Sequence, residues 1–311
     1  MTLFQRDKRS RQVALINNLL SGGADPASAS AVDAFCVREG WTLEKIQFKG
    51  EADLERLAQD ACAGGIDLLI AAGGDGTISA VVEGMVGGET PLAIYPMGTG
   101  NGLAQALGLP MDMKGFLELL SDAGRIQWMD VMRVGRRHAV LNVSAGISPR
   151  AMRMTEERDK KRSGLLAYAL SFAKAVQEID AQEFELRIDG EVLCVEASEV
   201  IVTNGSVFRE GVTDFYGGAE HLFDGQMEIY VMRPDSMDGY VRLAWEMLMR
   251  QNTSAKDMDV HIARKEIQIQ TRGAPCLVQM DGDVVGETPV NIELLPKKLP
   301  LVVPAHLSEK A

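Results

Sequence analysis

The sequence predicts an α/β plus β protein, in which an N-terminal α/β domain precedes an antiparallel β domain. The chain has 311 residues, more than one hydrophobic core usually serves. In the first third, short apolar runs alternate with segments of helical spacing, whereas strand-like runs and tight turns dominate the second half. These observations place the boundary near residues 135–141 and give domains at 1–138 and 139–295.

The first third reads as strands and helices in alternation. One helix is predicted to begin at Pro26, with Asp25 as its N-cap. Strands that alternate with helices indicate βαβ units and a parallel sheet covered on both faces. The predicted strands are 13–16, 43–48, 66–72 and 92–97, and the predicted helices are 26–38, 53–62, 78–85 and 102–109.

The second half reads differently. A strand at 141–147 is followed by one long amphipathic helix at 165–179. Two alternating runs then flank Asp189-Gly190, which is a strong hairpin signal. Further strand-like segments follow, interrupted by a helix at 237–249. This pattern is typical of antiparallel sheets.

Composition bounds the function. The chain is 46% hydrophobic and 24% charged, as in ordinary globular proteins, and no apolar run reaches the ~18–20 residues of a membrane span. Residues 1–12 are polar and basic, so no secretory signal is expected. The four cysteines are scattered and favour reduced thiols in a cytoplasmic protein. They are Cys36, Cys62, Cys194 and Cys276.

The net charge of −12 argues against broad nucleic-acid binding and against adsorption of the whole surface to anionic lipid. Contact with such a surface needs a local basic patch. One candidate is a cluster of cations that outnumber their acidic neighbours, and the alternative is a solvated polar loop. The cluster comprises Arg150, Arg153, Arg158, Lys160, Lys161 and Arg162.

A glycine-rich turn follows the predicted strand at 66–72. It reads GGDGT at 73–77, and a helix begins there. Glycines let the backbone approach a ligand closely, and the N–H groups of a helix N-terminus favour an anion such as phosphate. Asp75 suits such a site if it acts through Mg²⁺ or orients a ribose or a water. The alternative is a plain strand–helix turn with an exposed aspartate.

A second turn of the same kind follows the next strand. The run GTGNG at 98–102 again leads into a helix, and it offers the Thr99 hydroxyl and the Asn101 amide. Two such turns at one edge of a parallel sheet form a larger phosphate-binding surface. Together they predict a site for the phosphates of a nucleotide.

With these motifs, the sequence resembles the bacterial lipid kinases of the diacylglycerol kinase and sphingosine kinase superfamily. The resemblance covers nearly the whole chain in order. It implies a nucleotide-binding α/β domain of the NAD kinase and phosphofructokinase type, a β-sandwich domain, and a segment at 296–311 that returns to the first domain. The motifs are GGDGT (73–77), PMGTGNGLAQALGLP (96–110), DKKRSGLLAYALSFAKAV (159–176), VTNG (202–205), FDGQMEIYVM (223–232) and MDGD (280–283).

The resemblance also implies roles for individual residues. Asp224, with the main-chain oxygens of His221 and Gln226, matches a Mg²⁺ site. The acidic residues that serve as base fall on Asp281 and Asp283. With the two glycine turns, the residues expected to hold ATP are Gly73, Gly74, Asp75, Gly76, Thr77, Ile78, Ser79, Ala80, Gly98, Thr99 and Asn101.

The choice of base stays open between Asp283 and Asp281. Asp-Gly is also a common hairpin turn. The triplet Asp189-Gly190-Glu191 matches the family's Asp-Gly-Glu more closely than residues 281–283 do. It lies early in the β domain, however, whereas the family motif lies near the C-terminus. We therefore interpret residues 189–191 as a turn.

The sequence departs from the family pattern at Phe48, Gly102 and Asp283. These departures keep open the alternative of a nucleotide-binding sensor with weakened catalysis. An enzyme like NAD kinase is a second alternative, because NAD kinases also use a Gly-Gly-Asp-Gly turn. The sequence lacks the catalytic motifs of hydrolases and metalloproteases, because the histidines are dispersed and no HExxH or GxSxG motif is present. The histidines are His138, His221, His261 and His306.

The sequence thus predicts an ATP-dependent lipid kinase, which transfers the γ-phosphate to the hydroxyl of a diacylglycerol-like or related acceptor. ATP and Mg²⁺ are the expected cofactors, a lipid is the expected substrate, and no nucleic acid is expected. The helix at 165–179 and the cations at 160–162 suit peripheral membrane contact, although the helix could instead pack on the β domain. A cytoplasmic protein that contacts membranes transiently is expected, and a homodimer is an option.

Overall fold

The computed structural model describes residues 10–18, 27–48, 50–158, 181–205, 219–234, 236–248 and 257–308. The chain forms two compact units. Unit 1 contains the described residues up to Val131, a short segment that ends at Asp224, and the chain from Pro296 onward. Unit 2 begins at Met132 and includes Gly225–Leu295.

Unit 1 is built on a parallel sheet, as the sequence predicts. Its strands have the order β2-β1-β3-β4, and the last part of β16 pairs in parallel with β4. All residues of β3 and β4 are buried, because helices cover such sheets. The strands are β1 Gln12–Asn17, β2 Thr42–Ile46, β3 Leu68–Gly73 and β4 Leu92–Pro96, with β16 Val290–Pro304.

The first four helices of unit 1 follow the predicted order with shifted ends, whereas the short fifth helix was not predicted. The helix predicted from residue 26 begins at Ser28, and its expected start at Asp25 and Pro26 lies outside the described residues. The helix predicted to reach residue 109 ends at Ala106, and Gly108 follows with a φ of 60°. The helices are α1 Ser28–Glu39, α2 Leu54–Ala63, α3 Asp75–Met85, α4 Gly102–Ala106 and α5 Met113–Glu118.

Unit 2 contains two layers of antiparallel strands. One sheet has the order β12-β11-β10-β7-β14-β15, and the other joins β13, β8 and β9 with the first part of β16. Apolar side chains from both sheets, including Phe184, Ile269, Val202 and Ile229, form one core. The hairpin at Asp189-Gly190 joins β8 to β9, as predicted.

The remaining elements complete the described chain. The strands are β5 Gly124–Val134, β6 Arg137–Ala139, β7 Asn142–Gly146, β8 Gln182–Ile188, β9 Glu191–Ala197, β10 Glu199–Thr203, β11 Met227–Met232, β12 Met258–Ala263, β13 Glu266–Thr271, β14 Leu277–Met280 and β15 Asp283–Glu287. The helices are α6 Ile147–Arg158 and α7 Met237–Leu248. Short 3₁₀ turns lie at Glu51–Asp53, Ala219–Phe223 and Ala305–Ser308, and a π-helical turn lies at Leu119–Ala123.

The basic cluster is only partly described. Residues 150–158 belong to α6, so the alternative of a polar loop is wrong for this part. Residues 160–162 and the helix predicted at 165–179 lie outside the described residues, and their role at a membrane stays a prediction. Within the described chain, none of the helices combines the length and apolar character that a membrane crossing requires.

The core of unit 2 contains a carboxyl group. Glu199 begins β10 and is 1% exposed. Burial raises the pKa of Glu199 to about 7, although hydrogen bonds from Ser148 and Ser144 oppose the shift. Because its folded pKa is raised, this group stabilises the fold fully below its ordinary pKa, and that stabilisation is lost as the pH rises through about 7.

We therefore expect Glu199→Gln to reduce the pH dependence of stability. The shift corresponds to about 3 kcal/mol of unfolding free energy, lost between about pH 5 and about pH 8. Urea unfolding at both pH values measures it in the wild-type protein and the variant. Glu196→Gln changes an exposed glutamate of β9 in the same unit and should keep the wild-type dependence. An equal dependence in Glu199→Gln would contradict the assignment.

Candidate functional site

The first glycine turn joins β3 to α3. Gly74 precedes the helix, and no side chain caps this end of it. The first N–H groups of an α-helix have no acceptor within the helix, so they are available to an outside acceptor such as phosphate. The turn therefore has the features of an anion site at the carboxyl edge of a parallel sheet.

Two of the residues predicted to bind the nucleotide, Thr77 and Ile78, are buried. The Thr77 side chain is 1% exposed, and its Oγ1 accepts a hydrogen bond of 2.8 Å from Asn18 Nδ2. Ile78 is buried, and its N–H donates to the Gly74 carbonyl. Gly76 is exposed. Thr77 and Ile78 thus hold the turn on the core, whereas the backbone at Gly76 faces solvent.

The second turn lies directly against the first. The Met97 N–H donates to the Gly73 carbonyl at 2.8 Å. A Cβ added at Gly98 would lie 2.7 Å from the Gly74 Cα, closer than real contacts allow. Only two glycines permit this approach. The two turns, which the sequence predicts to be neighbours, are thus in direct backbone contact.

Asp75 connects the two turns. Its Oδ2 accepts the Asn101 N–H at 2.8 Å, and its Oδ1 accepts the Gly102 N–H at 2.6 Å. A Cβ at Gly100 would lie 2.7 Å from the same carboxylate. Asp75 is therefore neither a plain exposed aspartate nor a free carboxylate, because both of its oxygens bind the second turn. Those two amides are in turn unavailable to a phosphate.

Hydrogen bonds within the second turn fix its shape. Asn101 has a φ of 53°, and its side chain bonds to both polar groups of the Gly98 backbone. Oδ1 accepts from the N–H at 2.7 Å, and Nδ2 donates to the carbonyl at 2.8 Å. The neighbouring Thr99 is exposed. Thr99 is thus accessible to a ligand, whereas the Asn101 amide maintains the turn.

We expect Asp75→Asn to separate the turns. Asparagine has one oxygen where two N–H groups need acceptors, and a donor left unpaired costs about 1–3 kcal/mol. We therefore expect MgATP, measured by calorimetry, to bind roughly tenfold or more weakly. Asp112→Asn is the matched control, since Asp112 accepts one N–H at the start of α5 and asparagine caps a helix equally well. Equal affinity in both variants would refute the role of Asp75.

In unit 2, the Asp281-Gly282 turn joins β14 to β15. The Asp281 carboxylate accepts three successive backbone N–H groups, from Val140, Leu141 and Asn142, at 2.7 to 2.9 Å. Burial raises the pKa of Asp281 to about 6, although the three amides oppose the shift. A carboxylate with these bonds maintains the local fold.

The same arrangement occurs in the Asp189-Gly190 turn. The Asp189 carboxylate accepts the N–H groups of Arg264, Lys265 and Glu266. Burial acts to raise the pKa of Asp189, but the three amides together lower it below its ordinary value. Since Asp189 and Asp281 both have positive φ and equivalent bonds, the first aspartate of each turn has a structural role.

Asp283 differs from Asp281. It begins β15, and it is exposed. Among the described residues, no group forms a hydrogen bond or an ion pair with its carboxylate. Asp283 can therefore accept a proton or contact a ligand without the loss of a structural bond.

Sequence reasoning missed a residue that supports this turn. Asn204, within the VTNG motif, donates from Nδ2 to the Val140 carbonyl at 3.1 Å and from its backbone N–H to the Leu141 carbonyl at 2.8 Å. The segment 140–142 is thus held by Asp281 through its N–H groups and by Asn204 through its carbonyls. The sequence shows the VTNG motif, but only the fold shows that Asn204 binds the segment 140–142.

The predicted Mg²⁺ ligands are divided between the two units. Asp224 ends a segment of unit 1, and its Oδ2 lies 3.1 Å from Nδ1 of His221, whereas Gln226 belongs to unit 2. Within the part of the chain that the structure describes, no three His, Cys, Asp or Glu side chains gather as metal ligands. A site of one carboxylate and main-chain oxygens does not need such a cluster, so it stays a prediction.

Comparison with protein families agrees with both units. Residues 12–134 match the diacylglycerol kinase catalytic domain, and residues 141–303 match the YegS C-terminal NAD kinase beta sandwich-like domain. The second match alone covers more than half of the chain. The chain belongs to the family of proteins that join a diacylglycerol kinase catalytic domain to a YegS C-terminal domain. The predicted α/β and β-sandwich fold class is thereby confirmed.

Individual relatives are distant. A diacylglycerol kinase of Mycobacterium tuberculosis is 26% identical over 97% of this chain and 98% of its own length. An uncharacterized protein of Synechocystis is 27% identical over 78% of this chain, which spans just over half, 56%, of that protein. A crystal structure of a diacylglycerol kinase from Bacillus anthracis superposes with a TM-score of 0.71 over 97% of this chain and 100% of its own, at 19% identity. The last likeness concerns the fold alone.

Proposed function

We propose that this family member is an ATP-dependent lipid kinase, which transfers the γ-phosphate of ATP to a lipid hydroxyl of the diacylglycerol type. The observation that carries the proposal is the pair of glycine turns joined by Asp75 at the uncapped N-terminus of α3. Such an end offers free N–H groups and the positive end of the helix dipole to phosphate oxygens. Gly76 and Thr99 are exposed beside it.

Mg²⁺, when bound with ATP, supplies the charge neutralisation that phosphoryl transfer needs. Asp224 fits a Mg²⁺ site, because its carboxylate is only half-buried and Mg²⁺ prefers one or two carboxylates together with oxygens and waters. The main-chain oxygens of His221 and Gln226 complete the proposed donor set. Asp75 is assigned to the contact between the turns, since each of its oxygens already accepts a backbone N–H, from Asn101 or from Gly102.

Asp283 is the proposed general base. Its carboxylate is exposed and has no structural partner among the described residues, so it can take the proton of the acceptor hydroxyl. Asp281 is the weaker candidate, because proton transfer to it would compete with three backbone bonds. We therefore assign Asp281 to the support of the turn. The proposal gives nucleotide binding to unit 1 and proton removal to unit 2.

One observation favours a second candidate. The β-sandwich that matches residues 141–303 is described as NAD kinase-like. An enzyme that phosphorylates NAD would use the same turns with a soluble acceptor. A nucleotide-binding sensor with weakened catalysis is the third candidate. It is motivated by two departures from the family pattern, Gly102 and Asp283, where the latter is one methylene shorter than the glutamate of the family's Asp-Gly-Glu.

A panel of acceptors separates these functions. The protein is incubated with Mg²⁺ and γ-labelled ATP, and with diacylglycerol, phosphatidylglycerol or sphingosine in mixed micelles, or with NAD. We expect label in a lipid product and none in NAD phosphate. Label in NAD phosphate alone would establish the second candidate. Tight binding of ATP without any labelled product would support the sensor and contradict the kinase.

A further inference from the structure

A line of buried polar side chains leads from the Asp281-Gly282 turn into unit 2. Gln279, Ser144 and Glu199 are 6%, 1% and 1% exposed. They lie on β14, β7 and β10, which are consecutive strands of the six-stranded sheet. Buried polar groups are costly unless they are hydrogen-bonded, so the bonds within this line decide how its members are oriented.

Gln279 uses both ends of its amide. Its Oε1 accepts the Gly282 N–H at 2.8 Å. Its Nε2 donates to Asn142 Oδ1 at 2.5 Å and to Ser144 Oγ at 3.1 Å. Only the oxygen of an amide can accept the Gly282 hydrogen, so the reversed amide would place two donors face to face. The Gln279 side chain therefore has one favourable orientation.

The far end of the line supports this orientation. Because Ser144 Oγ accepts from Gln279, its own hydrogen is left to be donated, and a hydrogen bond from Ser144 is one of the interactions that lower the pKa of Glu199 against the effect of burial. Glu199 Oε1 also lies 3.3 Å from the Ser148 N–H at the start of α6. The carboxyl group of Glu199 thus stands at the far end of the line and accepts hydrogen bonds there.

The near end of the line is the peptide before Asp283. The two residues before the candidate base, Asp281 and Gly282, both have positive φ values, 48° and 102°. Met152 of α6 lies 3.6 Å from the position of a Cβ at Gly282. Since no group among the described residues bonds to the Asp283 carboxylate, the backbone that bears this side chain sets where it lies.

We propose that Gln279 is a positioning residue for Asp283, because it fixes the Gly282 peptide through a line of buried bonds that ends at Glu199. The inference rests on the proposed function, in which Asp283 removes the acceptor proton. Gln279 itself touches neither nucleotide nor acceptor in this scheme. Its effect on catalysis is therefore expressed only through Asp283.

A double-mutant cycle tests this dependence. We expect Gln279→Met, which has similar length and no hydrogen bonds, to lower kcat by about 10- to 100-fold. The KM for ATP should change by less than about twofold, because the nucleotide contacts remain. In an Asp283→Asn background, Gln279→Met should cause no further loss. Gln270→Met makes the same change on an exposed position of β13 and should leave kcat unaltered.

Ser144→Ala provides a second route if Gln279→Met folds poorly. It removes only the far partner of Gln279, so a smaller loss of kcat is expected, again absent in the Asp283→Asn background. Amide hydrogen exchange of residues 280–284 gives a readout that needs no catalysis, and faster exchange is expected in Gln279→Met. Unchanged exchange, or losses that multiply in the double variant, would overturn the inference.

The experiments distinguish a failure of the proposed function from a failure of the inference about Gln279. A wild-type protein that labels no lipid overturns the proposed function and the inference together. A wild-type protein that labels a lipid, with Gln279→Met equally active, overturns the inference alone.

Discussion

Asp283→Asn is expected to lower kcat for lipid phosphorylation by about 10²- to 10⁴-fold, the range for loss of a general base. Asparagine preserves the size of the side chain but cannot take up a proton. Because the Asp283 carboxylate is exposed and has no structural partner among the described residues, the variant should fold normally. Steady-state kinetics with the preferred lipid, together with a thermal unfolding midpoint, measure both effects.

The chain offers a matched control in its other Asp-Gly turn. Glu191 begins β9 after Asp189-Gly190 as Asp283 begins β15 after Asp281-Gly282, and Glu191 is also exposed. Glu191→Gln should leave kcat within about twofold of the wild-type value. Asp281→Asn should instead lower the unfolding midpoint, because one oxygen cannot replace a carboxylate that accepts three N–H groups. Full activity in Asp283→Asn would eliminate Asp283 as the base.

Gly98→Ala is expected to weaken MgATP binding on the order of 100-fold, since a displacement of about 1 Å in a catalytic site has effects of that size. The added methyl group would lie 2.7 Å from the Gly74 Cα and 2.8 Å from Asn101 Oδ1. The first of these neighbours is backbone and the second is held by the Gly98 peptide, so neither can move aside easily. The two turns must therefore separate, and the N–H groups they offer to phosphate separate with them.

Gly50→Ala is the control for this substitution. Gly50 also lies in unit 1, and a Cβ there would meet no atom within 4 Å. Calorimetric titration of MgATP should therefore give the wild-type affinity for Gly50→Ala. Unaltered affinity in Gly98→Ala as well would show that close contact between the turns is not required, and the proposed nucleotide site would be wrong.

Several elements were predictable because their signals are local. The alternation of apolar strands and helices over the first third is visible in the spacing of residues, and the parallel sheet follows from it. The hairpin at Asp189-Gly190 was likewise predictable, since that dipeptide favours positive φ at both positions. Helix ends were less accurate, and α6 was missed, because its few apolar residues give a weak helical spacing and Pro149 lies in its first turn.

The roles of the acidic residues were less accessible. From the sequence, Asp75 could be a metal ligand, an orienting group or an exposed residue of a turn. Its actual partners, the N–H groups of Asn101 and Gly102, are 26 and 27 residues away in the chain. Similarly, the sequence could not separate Asp281 from Asp283, because the amides that bind Asp281 lie 139 to 141 residues away.

The sequence alone determined the fold class, the alternation of strands and helices in the first third, the two glycine turns and the family resemblance, because short-range spacing and ordered motifs encode them. Only the tertiary structure decided which carboxylates are occupied and which are free. A hydrogen bond depends on the distance and direction between two groups, and chain separation carries no information about either. The assignment of Asp75 and Asp281 to structural bonds, and the proposal that Asp283 takes the proton, therefore required the folded arrangement of segments that are remote in the sequence.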